Sequence, residues 1–419
     1  MTSSHKIFLR TITLMLPTAF PIPNPTNNHF KPSLTLTATL MPINTRADWF
    51  ETAFGFQERA YDYNGVREKF QVEYSNDTDT DINNKNAVLV SRVNGRVFDV
   101  GRFELASMED LCERCSIAVT CDVHNDGNSN HSRNPRVGQK LTFCHVTGDA
   151  KKLHMDVNCN SNNDDGDGDG GVVFQAASQF NCLEMPSPDV TPDMGITDYV
   201  FDRTQGPACA MACFAGTLYR NYFVNGVGQG NGNQIDCLSE TGDVLGNQDS
   251  KFWVMKNGYA LPVARNSIDM LKQDMVSGAV DVEKAMAKVK VGIQWNCEVR
   301  DFDSDIPSHH VTQVYCSALP VGYSDVYDPK AFAPFAKLVL TAAYASTLAV
   351  GAILSQQRKK SVVVYLTKVG GGVFRNESKW IIEAIQSSLR RFQNYPLDVK
   401  LVHFGSIESE YRNAIAEIM

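Results

Sequence analysis

The fold of this chain is decided by the stretch Val363-Val364-Tyr365-Leu366-Thr367-Lys368-Val369-Gly370-Gly371-Gly372-Val373-Phe374-Arg375-Asn376. Its continuous β-branched and apolar start predicts a buried strand of the parallel kind, which delivers a glycine turn. We expect this turn to open a helix. In α/β sheets such a turn forms an anion site, because N–H groups at a helix start are free and glycine lets a phosphate come close.

A second turn of this kind lies earlier in the chain. The strand Val172–Ala177 is predicted to deliver Gln179–Glu184, and the turn itself is Asp202-Arg203-Thr204-Gln205-Gly206-Pro207-Ala208-Cys209-Ala210. Pro207 suits the first turn of a helix, which we predict over 207–223. Two such turns on one sheet predict a ligand with two linked phosphates.

Composition limits the function classes. The 419 residues are 43% hydrophobic and 21% charged, so the chain can bury a large core. The net charge of −8 argues against a general nucleic-acid binder, whose affinity comes from lysine and arginine. The sequence shows no apolar run long enough for a membrane span, so no integral membrane segment is expected. The 11 scattered cysteines indicate a reducing, intracellular compartment, cytoplasmic or organellar.

Three segments are predicted. Residues 1–40 contain basic residues but no Asp or Glu, and two interpretations stay open for them: a targeting peptide or a disordered extension. Residues 41–171 form an N-terminal α+β extension with polar inserts. Residues 172–419 alternate strands and helices, which predicts an α/β fold with a mixed sheet flanked by helices on both faces.

Two metal sites can be considered and are disfavoured. Cys112 and Cys115, with Cys121 and His124, have zinc-ligand types, but no second Cys-x-x-Cys follows. The acidic run 164–169 lacks the glutamate that closes an EF-hand loop. We interpret these residues as core packing and a surface loop, and expect no metal and no cofactor.

Several motifs carry a family resemblance. The segment Gln175–Asn181 resembles the strand-to-loop segment of macrodomains, and Gly370–Phe374 resembles their second phosphate loop. Together with Thr204–Ala210 and Ala215–Phe223, they resemble the divergent macrodomain family typified by the bacterial effector MavL. The resemblance covers roughly residues 172–405. The usual first loop, Gly-Gly-Gly-Val, is replaced here by Thr204–Ala208, and the paired glutamates of poly-ADP-ribose glycohydrolases are absent.

The resemblance implies a macrodomain-like protein that binds ADP-ribose or an ADP-ribosylated protein, with ubiquitin as one such partner. In this family the effector removes ADP-ribose from modified ubiquitin. Phosphates are expected on the backbone of the two loops at helix N-termini. Phe374 is expected to cover a ribose or a phosphate face, and Asn181 to bond the distal ribose. The implied ligand-binding set is Phe180, Asn181, Thr204, Gln205, Gly206, Pro207, Ala208, Gly370, Gly371, Gly372, Val373, Phe374 and Asn376.

Catalysis requires a carboxylate. Cleavage of a glycosidic bond at C1″ passes through an oxocarbenium-like state. A carboxylate is needed either to stabilise its positive charge or to activate the attacking water. Asp202 is the first choice because it precedes the first loop, and Asp198 and Glu184 follow. The leading hypothesis is an ADP-ribosylhydrolase acting on a modified side chain, and the alternative is a non-catalytic reader of ADP-ribose. A phosphoesterase would need metal-ligand carboxylates converging on the phosphates, and the sequence shows no such set.

Overall fold

The structure is a computed structural model that describes residues 48–75, 85–116, 140–157 and 169–416. The predicted targeting segment 1–40, residues 164–168 of the acidic run, Cys121 and His124 lie outside these ranges. The helices are α1 Asp48–Phe54, α2 Tyr63–Arg67, α3 Met108–Arg114, α4 Ala150–Asp156, α5 Gln205–Ala212, α6 Phe214–Tyr222, α7 Ser239–Leu245, α8 Ser267–Ser277, α9 Val282–Ala287, α10 Ala333–Arg358, α11 Ser378–Phe392 and α12 Ser409–Ala416. The strands are β1 Phe70–Tyr74, β2 Ala87–Ser91, β3 Val97–Ser107, β4 Thr142–Thr147, β5 Asp169–Ala177, β6 Trp253–Lys256, β7 Tyr259–Pro262, β8 Lys290–Val299, β9 His309–Cys316, β10 Val362–Leu366 and β11 Leu397–His403.

One mixed sheet organises the described residues. Its strand order is β1-β2-β3-β8-β9-β5-β10-β11-β4, and β6 and β7 form a separate hairpin. The five strands from β9 to β4 are mutually parallel, whereas β1, β2, β3 and β8 pair antiparallel. The carboxyl ends of the parallel strands therefore meet at one edge, where open α/β sheets bind ligands.

Helices cover both faces of this sheet, which confirms the predicted fold class. Adjacent residues of a strand point to opposite faces, and β5 shows what each face meets. Phe174 stacks on His154 of α4, with 3.6 Å between ring centroids. The next residue, Gln175, donates from Nε2 to Thr347 Oγ1 of α10 at 2.9 Å.

The long apolar helix α10 is the central helix of the core. By length and composition the segment Pro329–Arg358 could cross a membrane, and it is the one such helix in the described residues. However, 94% of its most apolar window is buried inside the protein. Burial against the sheet accounts for its composition, as expected for a helix that is apolar all round.

The predicted division at residue 171 does not coincide with a division of the sheet. Strands from residues 41–171 supply both of its ends, because β3 pairs with β8 and β4 pairs with β11. The polar insert that suggested a boundary lies between α4 and β5, which belong to the same layered structure. A hydrophilic stretch can be a long connection within a domain as well as a linker between domains.

The single helix predicted over 207–223 is two helices. The helical conformation is interrupted at Cys213, whose backbone is not helical (φ −118°, ψ 52°). Therefore α5 ends at Ala212 and α6 begins at Phe214. Arg300 N–H then donates to the free carbonyl of Ala212 at 3.4 Å. The apolar sequence pattern is continuous across this break and gave no sign of it.

Candidate functional site

Two cavities lie side by side along the carboxyl edge of the parallel strands. The first, here called the Glu184 cavity, has a volume of about 220 Å³ and lies beyond the ends of β5, β9 and β10. The second, the Phe404 cavity, has a volume of about 420 Å³ and lies beyond β10, β11 and β4. Together they reach the range of roughly 300–1,000 Å³ found for small-molecule sites.

A shared wall separates the two cavities. It consists of residues that line both of them, namely Thr204, Gln205, Thr367, Lys368 and Gly372. These residues belong to the two predicted loops and to the end of β10. The structure therefore brings the two glycine turns together, although they are far apart in the sequence.

The first loop is held against β5 by the side chain of Gln205. Its Oε1 accepts from Ala177 N–H at 2.8 Å, and its Nε2 donates to the Gln175 carbonyl at 2.7 Å. This side chain thus bonds the edge of the strand as a neighbouring strand would. The contact sets the start of α5 at the carboxyl end of β5, so the first turn of α5 faces the Glu184 cavity.

Gly206 allows the closest approach in the site. A Cβ atom there would lie 2.0 Å from the Ala177 carbonyl oxygen and 2.4 Å from Glu184 Oε2. Only glycine fits, since real Cβ atoms do not come so close to backbone. The consequence is that the Glu184 carboxyl packs directly on the first turn of α5.

Glu184 is the most perturbed acid of the cavity. Its residue is 6% exposed, and Oε1 has no hydrogen-bond partner among the described residues. Burial raises the pKa of Glu184 well above its ordinary value, and neighbouring Asp202 adds to the shift while Arg220 opposes it. A raised pKa favours the protonated form of this carboxyl group, which can donate a proton.

Asp202 lines the same cavity as Glu184. It is half-buried, and its Oδ1 accepts from Thr204 N–H at 2.8 Å, which closes the turn before α5. Two carboxyl groups with different environments therefore border one cavity. Differences of this kind separate the acid from the base in glycosidases.

The second loop does not open a helix, contrary to the sequence prediction. α11 begins only at Ser378, after Arg375 takes a left-handed conformation (φ +57°) and Asn376 closes the loop. Asn376 N–H donates to the Gly370 carbonyl at 2.9 Å, and its Nδ2 donates to the Leu319 carbonyl at 2.8 Å. Gly370 itself has φ +75°, and a Cβ there would lie 2.4 Å from Ala318 Cβ.

Both loops nonetheless present unpaired backbone donors. In the described part of the chain, no acceptor is recorded for N–H of Gln205 and Gly206 in the first loop, or for N–H of 372–374 in the second. The first turn of α5 carries no acidic residue, and its N-cap Thr204 makes no side-chain cap bond. The shared wall therefore offers N–H groups from two directions, which suits an anion.

An aromatic wall closes the Glu184 cavity on the far side. Phe374 lies 5.5 Å from Tyr259 and 5.7 Å from Tyr323 between ring centroids, and Tyr259 Oη donates to the Met185 carbonyl at 2.6 Å. The β6–β7 hairpin delivers Tyr259 to the site, which sequence reasoning did not predict. It also missed Tyr323, Thr367 and Lys368, although Thr367 and Lys368 stand inside the motif that was quoted.

Four predicted site residues lie elsewhere. Asp198 is exposed on a 3₁₀ turn, Phe180 is in the core, and neither lines a cavity. Asn181 is fully buried: its Nδ2 donates to Gln234 Oε1 at 2.9 Å and its Oδ1 accepts from Leu183 N–H at 3.1 Å. Asn376 fixes the second loop from behind. The remaining predicted residues border one or both cavities: Glu184, Asp202, Thr204, Gln205, Gly206, Pro207, Ala208, Gly370, Gly371, Gly372, Val373 and Phe374.

No group of three or more His, Cys, Asp or Glu side chains that could hold a metal is found within the described residues. Cys112 and Cys115 are both fully buried in the core around α3. Cys115 Sγ donates to the Ala349 carbonyl of α10 at 3.2 Å. These two cysteines therefore pack between α3 and α10.

Comparison with known proteins gives likeness at the level of structure only. No family model and no curated protein matches the sequence. Poly(ADP-ribose) glycohydrolase from Deinococcus radiodurans in complex with ADP-ribose aligns with a TM-score of 0.37 and 11% identity, covering 76% of this chain and 95% of that one. The glycohydrolase from Thermomonospora curvata aligns with a TM-score of 0.37 and 12% identity, covering 78% and 91%. At these scores the likeness carries no inference about activity.

Proposed function

We propose that this protein binds ADP-ribose across the two cavities and hydrolyses an ADP-ribosyl bond to a protein side chain. The diphosphate lies on the shared wall, the distal ribose in the Glu184 cavity and the adenosine in the Phe404 cavity. The observation that carries the proposal is the buried, unpartnered Glu184 carboxyl, which packs on the first turn of α5 at the wall of a cavity.

The shared wall suits a diphosphate. Free N–H groups of Gln205 and Gly206 lie at the positive end of the α5 dipole, and those of 372–374 come from the opposite loop. The Phe404 cavity suits a nucleoside. Phe404 is an aromatic side chain 81% exposed at its rim, and such rings stack on bases. The motif resemblance to macrodomains points to the same ligand.

The chemistry uses the two carboxyl groups of the Glu184 cavity. Glu184 gives its proton to the leaving side-chain atom as the bond to C1″ breaks. Asp202 stabilises the oxocarbenium-like centre and takes a proton from the water that attacks C1″. The products are free ADP-ribose and the unmodified side chain, so atoms and charges balance.

Binding is tested by calorimetric titration of ADP-ribose into the full chain, with Gly372→Glu and Gly372→Gln as a matched pair. A Cβ at Gly372 meets nothing within 4 Å, and Glu and Gln have nearly the same shape and differ in charge. We expect the glutamate variant to lose far more affinity than the glutamine variant, because the added carboxylate faces the diphosphate. Absence of binding by folded wild-type protein, or equal loss in both variants, would refute the proposed ligand position.

Hydrolysis is tested separately by following ADP-ribose release from a panel of ADP-ribosylated proteins that includes modified ubiquitin. We expect release by wild-type protein and loss of release in Glu184→Gln and Asp202→Asn. Binding without release across a panel covering O- and N-linked side chains would contradict the enzyme and favour the reader.

A further inference from the structure

The surroundings of the two cavities are acidic, and one cation serves both. Glu184 and Asp202 line the first cavity, and the acids of the second are Asp149, Glu408 and Glu410. Of the residues lining the cavities, Lys368 and Arg203 are the cations, and only Lys368 borders both. A diphosphate on the shared wall would be repelled by the ionised acids among these unless a cation stands beside it.

Lys368 is held in place by a chain of hydrogen bonds that runs into the core. Its Nζ forms an ion pair with Glu408 Oε1. Glu408 Oε2 is 2.7 Å from His403 Nδ1, and His403 Nε2 is 2.9 Å from His145 Nδ1. His403 is fully buried, so the anchor of this chain cannot move freely.

The two histidines orient Glu408. Its carboxylate can only accept, so His403 donates to it from Nδ1, and His403 Nε2 lies within hydrogen-bond distance of His145 Nδ1. Burial together with His403 lowers the pKa of His145, and its Nε2 is buried with no partner among the described residues.

Glu408 stays ionised in this arrangement. Partial burial raises its pKa, but hydrogen bonds from Lys368 and His403 outweigh that effect and lower the pKa of Glu408 to about 2. A lysine with a flexible stem loses conformational entropy when it is ordered on a ligand. An ion pair that exists before the ligand binds lowers this entropic cost. The ammonium group has three N–H donors, so it can bond Glu408 and a phosphate at the same time.

We propose that Lys368 is the cation that binds the diphosphate on the shared wall, and that Glu408, oriented by His403 and His145, is the positioning residue for its ammonium group. This inference deepens the proposed function and rests on it for the identity of the natural ligand. It assigns the diphosphate, and neither the nucleoside nor the ribose, as the part of the ligand that Lys368 recognises.

The test is calorimetric titration of three probes, ADP-ribose, inorganic pyrophosphate and adenosine, into the full chain at two salt concentrations. The variants are Lys368→Met, Lys368→Arg and Glu408→Gln. The matched control is Lys400→Met, because Lys400 pairs with Asp398 at 3.2 Å on neighbouring β11, has a similar side-chain exposure of 26% against 24% for Lys368, and lines neither cavity.

We expect Lys368→Met to weaken ADP-ribose and pyrophosphate about ten- to hundredfold, as for loss of a charge-assisted contact, and to leave adenosine unchanged. The salt dependence of ADP-ribose binding should become shallower. Lys368→Arg should keep most of the affinity, Glu408→Gln should lose about three- to tenfold, and Lys400→Met should match wild type.

Unchanged diphosphate binding in Lys368→Met would overturn the inference, and so would an equal loss of adenosine binding, which would indicate structural damage. Wild-type affinity in Glu408→Gln would overturn the positioning role. Binding of pyrophosphate through Lys368 without binding of ADP-ribose would leave this inference standing and refute the proposed function. A wild-type protein that binds neither ADP-ribose nor pyrophosphate would refute both this inference and the proposed function.

Discussion

Replacing Glu184 with Gln should stabilise the protein increasingly as the pH rises. The pKa of Glu184 is raised above its ordinary value of 4.5 by burial, so the folded state holds this proton more tightly than the unfolded chain. The contribution of this proton to the stability of the fold is therefore fully present below pH 4.5. It is lost as the pH rises through the folded-state pKa. The slope is at most about 1.4 kcal/mol per pH unit for one proton. Glutamine keeps the shape and cannot ionise, so its advantage over wild type should grow as the pH rises from 5 to 7, by no more than this slope.

The assay is urea denaturation of wild type and Glu184→Gln at pH 5, 6 and 7, with ADP-ribose release measured in parallel. Release should fall by about 10²- to 10⁴-fold, the usual contribution of general acid–base catalysis, while ADP-ribose binding persists. Glu377→Gln is the control, because Glu377 is exposed at the end of the second loop. Two stability curves that run parallel over this pH range would refute the raised pKa of Glu184. Undiminished release would refute its catalytic role.

Three further outcomes are expected. Gly206→Ala should cost about 1–3 kcal/mol of stability and abolish ADP-ribose binding, because its Cβ would lie 2.0 Å from a backbone oxygen. The control is Gly372→Ala, which should unfold like wild type because the space around its Cβ is open. Phe404→Ala should weaken the binding of AMP and of ADP-ribose about tenfold in calorimetry. It should leave the binding of ribose 5-phosphate and the stability of the protein unchanged, since the ring is 81% exposed and stacks only on a base. His154→Gln should remove an acid-dependent loss of stability, because burial lowers the pKa of His154 from 6.5 to about 4. As the pH falls between these values, wild type should lose up to about 3 kcal/mol of stability relative to the variant, as measured by urea denaturation.

The elements that could be predicted are those whose signal is local. β10 follows from the β-branched run at the start of the 363–376 stretch, and it formed as a buried parallel strand. A helix start near Pro207 was also predicted, and α5 begins two residues earlier, at Gln205. The break at Cys213 and the late start of α11 could not be predicted in this way. They depend on distant partners, such as Arg300 for the free carbonyl of Ala212.

The ranking of the acids shows the same limit. Asp202 stood first because it is adjacent to the loop in sequence, and Glu184 stood last. In the structure both line the cavity, but only Glu184 is buried against Gly206 with an unpartnered oxygen. Desolvation depends on what other segments cover a side chain, and no spacing along the chain reports that.

The sequence by itself determined the parallel strands, the two glycine turns and the residue types that can meet a phosphate, because each is encoded within about 15 neighbouring positions. Only the tertiary structure decided which turns face each other, that Glu184 is the buried acid, and that Lys368 stands between two cavities with Glu408 and His403 behind it. It also decided that residues before 171 complete the sheet at both ends. These facts arise from strand order and packing between distant segments, where the free energy of a contact depends on partners far away in the chain.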